Sequence, residues 1–327
     1  MKLHLHRKLV PVGGPLALTI GNFDGVHRGH QAILAAGIEA ASEHGLTFAA
    51  MSFHPLPREY FAKLRIDASF APPRLTSATE KLAVLADAGV EHVFIPRFDA
   101  AFAAQSPDAF IAALAAMQVR WLMVGEDFRF GTKRAGDSAT LRHAGATHGF
   151  MVETMPDVVI GAEKISSTAV RDALGAGQLD VAARMLGRPY CIIGRVTHGK
   201  KLGRTLGFPT ANIALTRRKP ALSGVFAVQC QLLTRGLEGV AGIDGNKSGM
   251  ILNGVANLGT NPVVSIDGHH HLEVFLFDFA DDVYGQRLSC TFIEKIRDEQ
   301  KFANLDELCR QMHDDVSKAK DILRSDR

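Results

Sequence analysis

A change of periodicity near residue 190 constrains the fold more than any other feature. Before it, apolar runs alternate with helical stretches. Leu16–Phe23 is a short apolar run whose strand ends at about Ile20, and Leu46–Phe53, Val90–Phe98, Arg120–Phe128 and Phe150–Met155 read as further strands, several of them almost continuously apolar. Gln31–His44 reads as an Ala-rich helix that Gly45 closes. Ser77 with Glu80 three residues on is a capping-box signature for a helix through Ala88. Ser106-Pro107 supplies an N-cap and a favoured first residue for a helix through Met117. Strands alternating with helices predict a parallel sheet covered on both faces, a doubly wound α/β domain assigned to residues 1–186. After a short helix at Asp180–Arg188, the strands Tyr190–His198, Gly224–Leu233, Met250–Leu258, Leu272–Phe279 and Leu288–Ile296 follow with no helix between them. A helix from Asn304 to about Leu323 ends the chain. Residues 187–327 are therefore expected to form an antiparallel β-barrel with a C-terminal helix.

Composition narrows the function. At 327 residues and a net charge of +3, the chain has room for two cores and lacks the charge excess of a non-specific nucleic-acid binder. No apolar run reaches the roughly 18 residues needed to span a bilayer, and the first residues hold no signal-peptide core. The four cysteines (Cys191, Cys230, Cys290, Cys309) form no CxxC pair or finger spacing. They read as reduced thiols of a cytoplasmic protein. No GxGxxG follows the first strand, which removes the main support for dinucleotide redox chemistry. GRVTHGKK resembles a P-loop, but it ends in Lys201 and no helix follows.

The strongest local signal is TIGNFDGVHRGHQAIL, a strand, a turn and a helix start. Backbone N–H groups and the helix dipole favour an anion there. His27 and His30, three residues apart, would converge on it, with Gly21, Gly25 and Gly29 allowing close approach and Asn22 and Asp24 adding polar groups. The bland alternative is a tight βα turn with two surface histidines. A second anion-ready helix start carries Ser166, Ser167, Thr168 and Arg171; alternatively Ser167 only caps the helix and Arg171 is a solvated charge. Asp127 and Arg129 lie just past a strand's carboxyl end, where open α/β sheets bind ligands. In Phe53–Phe61 two prolines stiffen a loop whose aromatics wall a pocket or simply pack.

In the second half, the Gly-rich stretch with Gly199 and Lys200 is suited to phosphates, and Pro209 precedes Thr210 and Asn212, hard oxygen ligands appropriate to Mg²⁺. A flexible surface loop is the competing reading. In Leu272–Phe279, period two puts Glu273 on one face with Phe275, Phe277 and Phe279. A carboxylate so placed is either a general base with a raised pKa or an edge-strand Glu at the barrel rim.

GNFDGVHRGH resembles the (H/T)xGH motif of the nucleotidyltransferase superfamily. With FHPLPREYF, VGEDFRFGTKRAGD and ISSTAVRDAL in order, it is similar to the bacterial bifunctional riboflavin kinase/FAD synthetase family. GFPTAN, GVFAV, EVFLFDF, YGQ and IRDEQKF match the kinase half, so the resemblance spans about Gly13 to Ile322. It implies a Rossmann-like adenylyltransferase followed by a riboflavin kinase barrel, with ATP as co-substrate, Mg²⁺ as cofactor and no redox use of the flavin. It implies that the Val124–Asp137 loop, with Asp127, Phe128 and Arg129, contacts ATP and the flavin phosphate. It further implies that Thr210 and Asn212 hold Mg–nucleotide, that Glu273 deprotonates the ribityl 5′-hydroxyl, and that Arg297 lies near the flavin. The expected partners are riboflavin, FMN and ATP, with no nucleic acid, membrane or obligate protein partner. The chain departs from the family at Asn261-Pro262-Val263, where Arg-Pro-Thr is common. The triple His269-His270-His271 reads as a solvated turn. Retention of only one activity, or a flavin-binding regulator on the same fold, are the alternatives.

Overall fold

The computed structural model describes residues 1–5, 9–66, 71–198, 207–215, 219–233, 250–259 and 270–325. Two compact units emerge. One is Met1–Pro72 with Val84–Ile165; the other is Pro73–Ala83 with Ser166–Arg327.

The first unit is built on a parallel sheet of β1 (Lys2–His4), β2 (Leu16–Ile20), β3 (Thr47–Met51), β4 (His92–Phe94), β5 (Val119–Gly125) and β8 (Met151–Met155). Ribbons β6–β7 (Arg129–Phe130, Gly136–Asp137) and β9–β10 (Val159–Ile160, Glu163–Lys164) stand beside it. The spatial order is β1-β4-β3-β2-β5-β8, so the order reverses between β2 and β5. In open α/β sheets ligands bind at such a switch point, outside the strands' carboxyl ends. Leu16, Leu18 and Ile20 of β2 share a core with Phe110, Ile111 and Leu114 of α5 (Pro107–Ala116) and Leu141 of α6 (Ser138–His148). On the opposite face, Gly37 of α1 (Arg28–His44) packs so closely on Phe48 that an added Cβ would overlap the ring. The remaining helices of this half are α2 (Pro57–Arg65), α3 (Ala78–Asp87) and α4 (Ala100–Ala103).

Several boundaries move from the sequence expectation. The first strand stops at Ile20 as expected, but the strand expected over Val90–Phe98 is only His92–Phe94. Phe53–Phe61 is not wholly loop: α2 begins at Pro57, the Glu59 carboxylate accepting the Leu56 N–H at 2.9 Å. Proline's fixed φ suits a first helical turn, where its missing N–H costs nothing. The Ser77–Glu80 capping box forms, with bonds of 2.6 and 3.2 Å.

The second unit is a closed six-stranded barrel of β11 (Cys191–Thr197), β12 (Thr210–Ile213), β15 (His271–Leu276), β14 (Ile251–Gly259), β13 (Gly224–Leu233) and β16 (Arg287–Arg297), in that order. Helices α7 (Ser167–Gly175), α8 (Leu179–Leu186) and α9 (Leu305–Ser325) belong to it. Pro73–Ala83 packs here as well. Glu80 is buried and its carboxylate also accepts the Ile193 N–H at 2.7 Å, while Tyr190 donates to the Leu75 carbonyl at 3.1 Å. The sequence reading missed β12, a four-residue strand whose Asn and preceding proline depress any strand signal. The strand expected over Leu272–Phe279 ends at Leu276, because Asp278 turns the chain at φ 52°. The four cysteines are free thiols. Cys230 and Cys290 face each other across β13 and β16, and burial pushes the Cys290 thiol well up.

Candidate functional site

At the switch point the chain leaves β2 and enters the Gly21–His30 turn. The Gly21 N–H continues the sheet by bonding the Met51 carbonyl at 3.0 Å. Phe23 and Val26 then adopt left-handed backbone at φ 48° and 42°. For a β-branched valine this geometry costs on the order of 1–3 kcal/mol. It is held by complete burial of both side chains and by two bonds to the turn's carbonyls. Ser52 donates to Asn22 at 3.0 Å and Gln31 to Val26 at 2.8 Å. Strain held this way concentrates at functional sites.

His27 caps α1, its Nδ1 accepting the His30 N–H at 3.4 Å. That bond leaves the ring proton of a neutral His27 on Nε2. The two imidazoles stack at 3.8 Å and 20°, and Phe23 lies 5.1 Å from His30. A Cβ on Gly29 would come within 3.2 Å of the His27 ring, so this glycine admits the stack. Asp24 and His27 are buried. The motif thus forms a shaped, desolvated helix N-terminus with ring N–H donors.

Across the switch point, the loop after β5 presents Asp127 and Arg129 on the surface and Phe128 half-buried. Arg129 lies 3.6 Å from Asp137, whose carboxyl Thr140 holds below its ordinary value by hydrogen bonding. Lys164 also bears on this loop; its pKa is raised first by the hydrogen bond to Asp157 and further by Asp127 and Glu126. Beside the loop runs a succession of edge-on and tilted rings, Tyr60, Phe98, Phe53, Phe102, Phe110 and Phe130, with Phe128 stacked on the last. Phe98 comes from a loop and Phe102, Phe110 and Phe130 from three separate elements, and no local spacing announces them.

In the second unit, Ser166 rather than Ser167 caps α7, its hydroxyl accepting the Ala169 N–H at 3.1 Å. Ser167 and Thr168 stand in the first turn. Arg171 donates from Nε to the Pro73 carbonyl at 2.6 Å, so one edge of its guanidinium is spent on backbone.

The barrel brings GFPTAN to Glu273. Asn212 of β12 lies directly opposite Glu273 of β15, and Thr210 opposite Phe275. Ala211, Ile213, Leu272 and Val274 fill the barrel interior, so alternation puts Thr210, Asn212, Glu273 and Phe275 on its outer face. That face is half-buried: Phe275 packs on Phe208, which meets His313 of α9 at 4.8 Å. Partial burial raises the Glu273 carboxyl above its ordinary value, with His271 opposing the shift. Among the described residues no cluster of His, Cys, Asp or Glu could hold a metal ion. The hydroxyl of Thr210 and the carboxamide oxygen of Asn212 are the neutral hard donors beside the carboxylate, a set that suits a cation arriving with nucleotide phosphates. Gly199, Lys200, Asn261–Val263 and His269 lie outside the described residues.

Arg297 is tied to the C-terminal helix. Its Nε and a terminal nitrogen form a fork on Asp315 of α9 at 2.9 and 2.7 Å, and the other terminal nitrogen donates to the Asp298 carbonyl at 2.9 Å. Gln311 adds a third donor to the buried Asp315 at 3.0 Å. IRDEQKF is therefore the clasp that ties the last strand to the C-terminal helix.

Comparison with known proteins agrees with both halves. The family model for FAD synthetase matches residues 12–169, and that for riboflavin kinase matches residues 186–323. A bifunctional riboflavin kinase/FMN adenylyltransferase from Haemophilus influenzae is 44% identical over 94% of this chain and 94% of its own. One from Escherichia coli K12 is 44% identical over 93% of this chain and 92% of its own. A crystal structure described as a macrolide-efflux protein from Streptococcus pneumoniae superposes with a TM-score of 0.76 at 27% identity, covering 96% of this chain and 97% of that one. With two ordered motif sets, each on its expected fold, and similarity along nearly the whole chain, this protein belongs to the bifunctional riboflavin kinase/FMN adenylyltransferase family.

Proposed function

We propose a division of labour in which residues 187–327 phosphorylate riboflavin and residues 1–186 adenylylate the FMN so formed. The chain is an enzyme of flavin cofactor synthesis, using ATP in both steps. The observation that carries the kinase assignment is the direct opposition of Asn212 and Glu273 across β12 and β15.

In the first step Glu273 takes the proton of the ribityl 5′-hydroxyl. The freed oxygen bonds to the γ-phosphorus as the bond to the bridging oxygen breaks, and ADP leaves. The raised carboxyl is a better base than an exposed one. Thr210 and Asn212 would hold Mg²⁺ with the nucleotide, where the ion supplies charge neutralisation at the β- and γ-phosphates. The phosphate-wrapping role stays with Gly199 and Lys200.

In the second step an FMN phosphate oxygen attacks the α-phosphorus of ATP and pyrophosphate leaves. The work is positioning and charge stabilisation, with no covalent intermediate. His27 and His30 stabilise charge on the transferring phosphorus, and Gly21, Asn22, Asp24 and Gly29 shape the turn that receives it. Ser166, Ser167, Thr168 and Arg171 provide the second anion-binding helix start. Asp127, Phe128 and Arg129 take the FMN side. The stacked His27–His30 pair at the N-terminus of α1 supports this reading. For Arg297 we propose an indirect role, through the clasp on Asp315.

The enzyme is assigned to the cytoplasm, without nucleic-acid or obligate protein partners and without redox use of the flavin. Free thiols support the compartment, and the balanced charge supports the reading without nucleic acid. Among the described residues, no helix is long and apolar enough to cross a membrane. The test is a chromatographic time course with riboflavin, ATP and Mg²⁺. FMN followed by FAD is expected. FMN that accumulates without FAD would mean a silent first domain, and no flavin product would leave the binding-regulator reading.

A further inference from the structure

We infer that Asn257 is a positioning and specificity residue of the kinase step, holding a secondary hydroxyl of the ribityl chain beside Glu273. The inference rests on the reading of Glu273 as the base.

Register carries it. Glu273 has two cross-strand neighbours in direct opposition, Asn212 on β12 and Asn257 on β14. Side chains so opposed have Cβ atoms about 4.5–5.5 Å apart. On β14, Leu252, Ala256 and Leu258 are buried in the barrel, so Val255 and Asn257 share the outer face with Glu273 and Phe275. The result is a row, Asn212–Glu273–Asn257, above a second row, Thr210–Phe275–Val255. The second row leads to the Phe208–His313 contact with α9, so the upper row faces outward. Asn257 is exposed, and its carboxamide makes no hydrogen bond among the described residues. Asparagine is a poor strand former, and this one caps no helix and bonds no backbone. A local structural reason for it is therefore missing.

A chemical reason is at hand. A carboxamide donates and accepts at once, which matches an alcohol that does the same. The row sorts the two substrates. Thr210 and Asn212, on the β12 side, are the hard donors for the nucleotide. Glu273 stands in the middle at the reacting hydroxyl. Asn257, one strand further from the nucleotide side, meets the acceptor's next hydroxyls along the chain. A polar group set to bond a substrate hydroxyl discriminates strongly against an analogue without it.

The experiment compares riboflavin with a flavin bearing a 5-hydroxypentyl chain, which keeps the reacting hydroxyl and lacks the secondary ones. For Asn257→Ala, kcat/KM for riboflavin is expected to fall about tenfold or more, the scale of one lost hydrogen bond with its partner left unpaired. The hydroxypentyl flavin should change less than twofold, and KM for ATP should hold. Equal losses on both flavins, or a loss confined to KM for ATP, would overturn the proposal. Denaturant unfolding of the barrel reports folding; should Asn257→Ala fail to fold, Asn257→Ser carries the same test. The base assignment fails separately, through Glu273→Gln retaining riboflavin phosphorylation, whereas the flavin-pair comparison reads Asn257 whatever that result.

Discussion

The turn at the head of α1 and the outer row of the barrel are both suited to phosphate chemistry, yet they are assembled differently. Gly21–His30 is one contiguous stretch whose cap and stacked imidazoles follow from neighbours within a few positions, with ties from Ser52 and Met51 of the adjoining strand end. Asn212, Glu273 and Asn257 stand on three strands, and only antiparallel register brings them level. A substitution in the turn acts where it is made. A one-residue slip of β15 would drive Glu273 into the barrel and turn Leu272 outward. The first design draws mainly on its own segment, and the second depends on the whole barrel.

Crossed substitutions test this contrast with the largest effects. Glu273→Gln should cut riboflavin phosphorylation by about 10²–10⁴-fold, the usual contribution of a general base, and leave adenylylation of supplied FMN intact. His30→Ala should cut adenylylation by about 10²–10³-fold and spare phosphorylation. Both are read by following each half-reaction chromatographically. Equal damage to both steps in a folded variant would break the division between the two regions.

The clasp sharpens the dependence of the barrel on distant contacts. Arg297→Ala and Asp315→Ala should each destabilise the barrel by about 3 kcal/mol, since each strands one charge of a largely buried pair. Denaturant unfolding of the two variants should show matching losses. A raised KM for riboflavin in Arg297→Ala, at unchanged stability, would instead put the guanidinium on the flavin.

The smallest effect is a pH dependence. The Glu273 carboxyl is raised by burial, so the folded state holds this proton more tightly than the unfolded state. Its contribution to stability is full below the ordinary carboxylate range and is lost as pH rises through the raised value. Glu273→Gln should therefore match the wild type in acid and melt slightly higher at neutral pH. The acid limb of wild-type phosphorylation should lie above the ordinary carboxylate value. A wild type more stable than the variant at neutral pH would mean that the carboxylate has a stabilising partner.

Much of this was readable from local spacing, and the exceptions share a cause. The capping box at Ser77, the cap at Ser106 and the αL closure at Gly45 are written within three or four residues. Strand β12 was missed because four residues with an asparagine carry little signal. The pairing of Asn257 with Glu273 was not legible, because only strand register sets it. The tie of Arg297 to Asp315 was not legible because its partner sits on another element.

By itself the sequence determined the order of elements, the α/β-then-barrel architecture, the capped turn with its two histidines, and the kinship carried by the motifs. These depend on periodicity, capping and turn chemistry, which act over a few residues. The tertiary structure alone decided which carboxamides flank Glu273, which rings line the run to Phe128, and that Arg297 is bound to Asp315. Those depend on strand register and on packing between elements far apart in the chain, where each pairing is selected by the burial of the whole face rather than by any one residue.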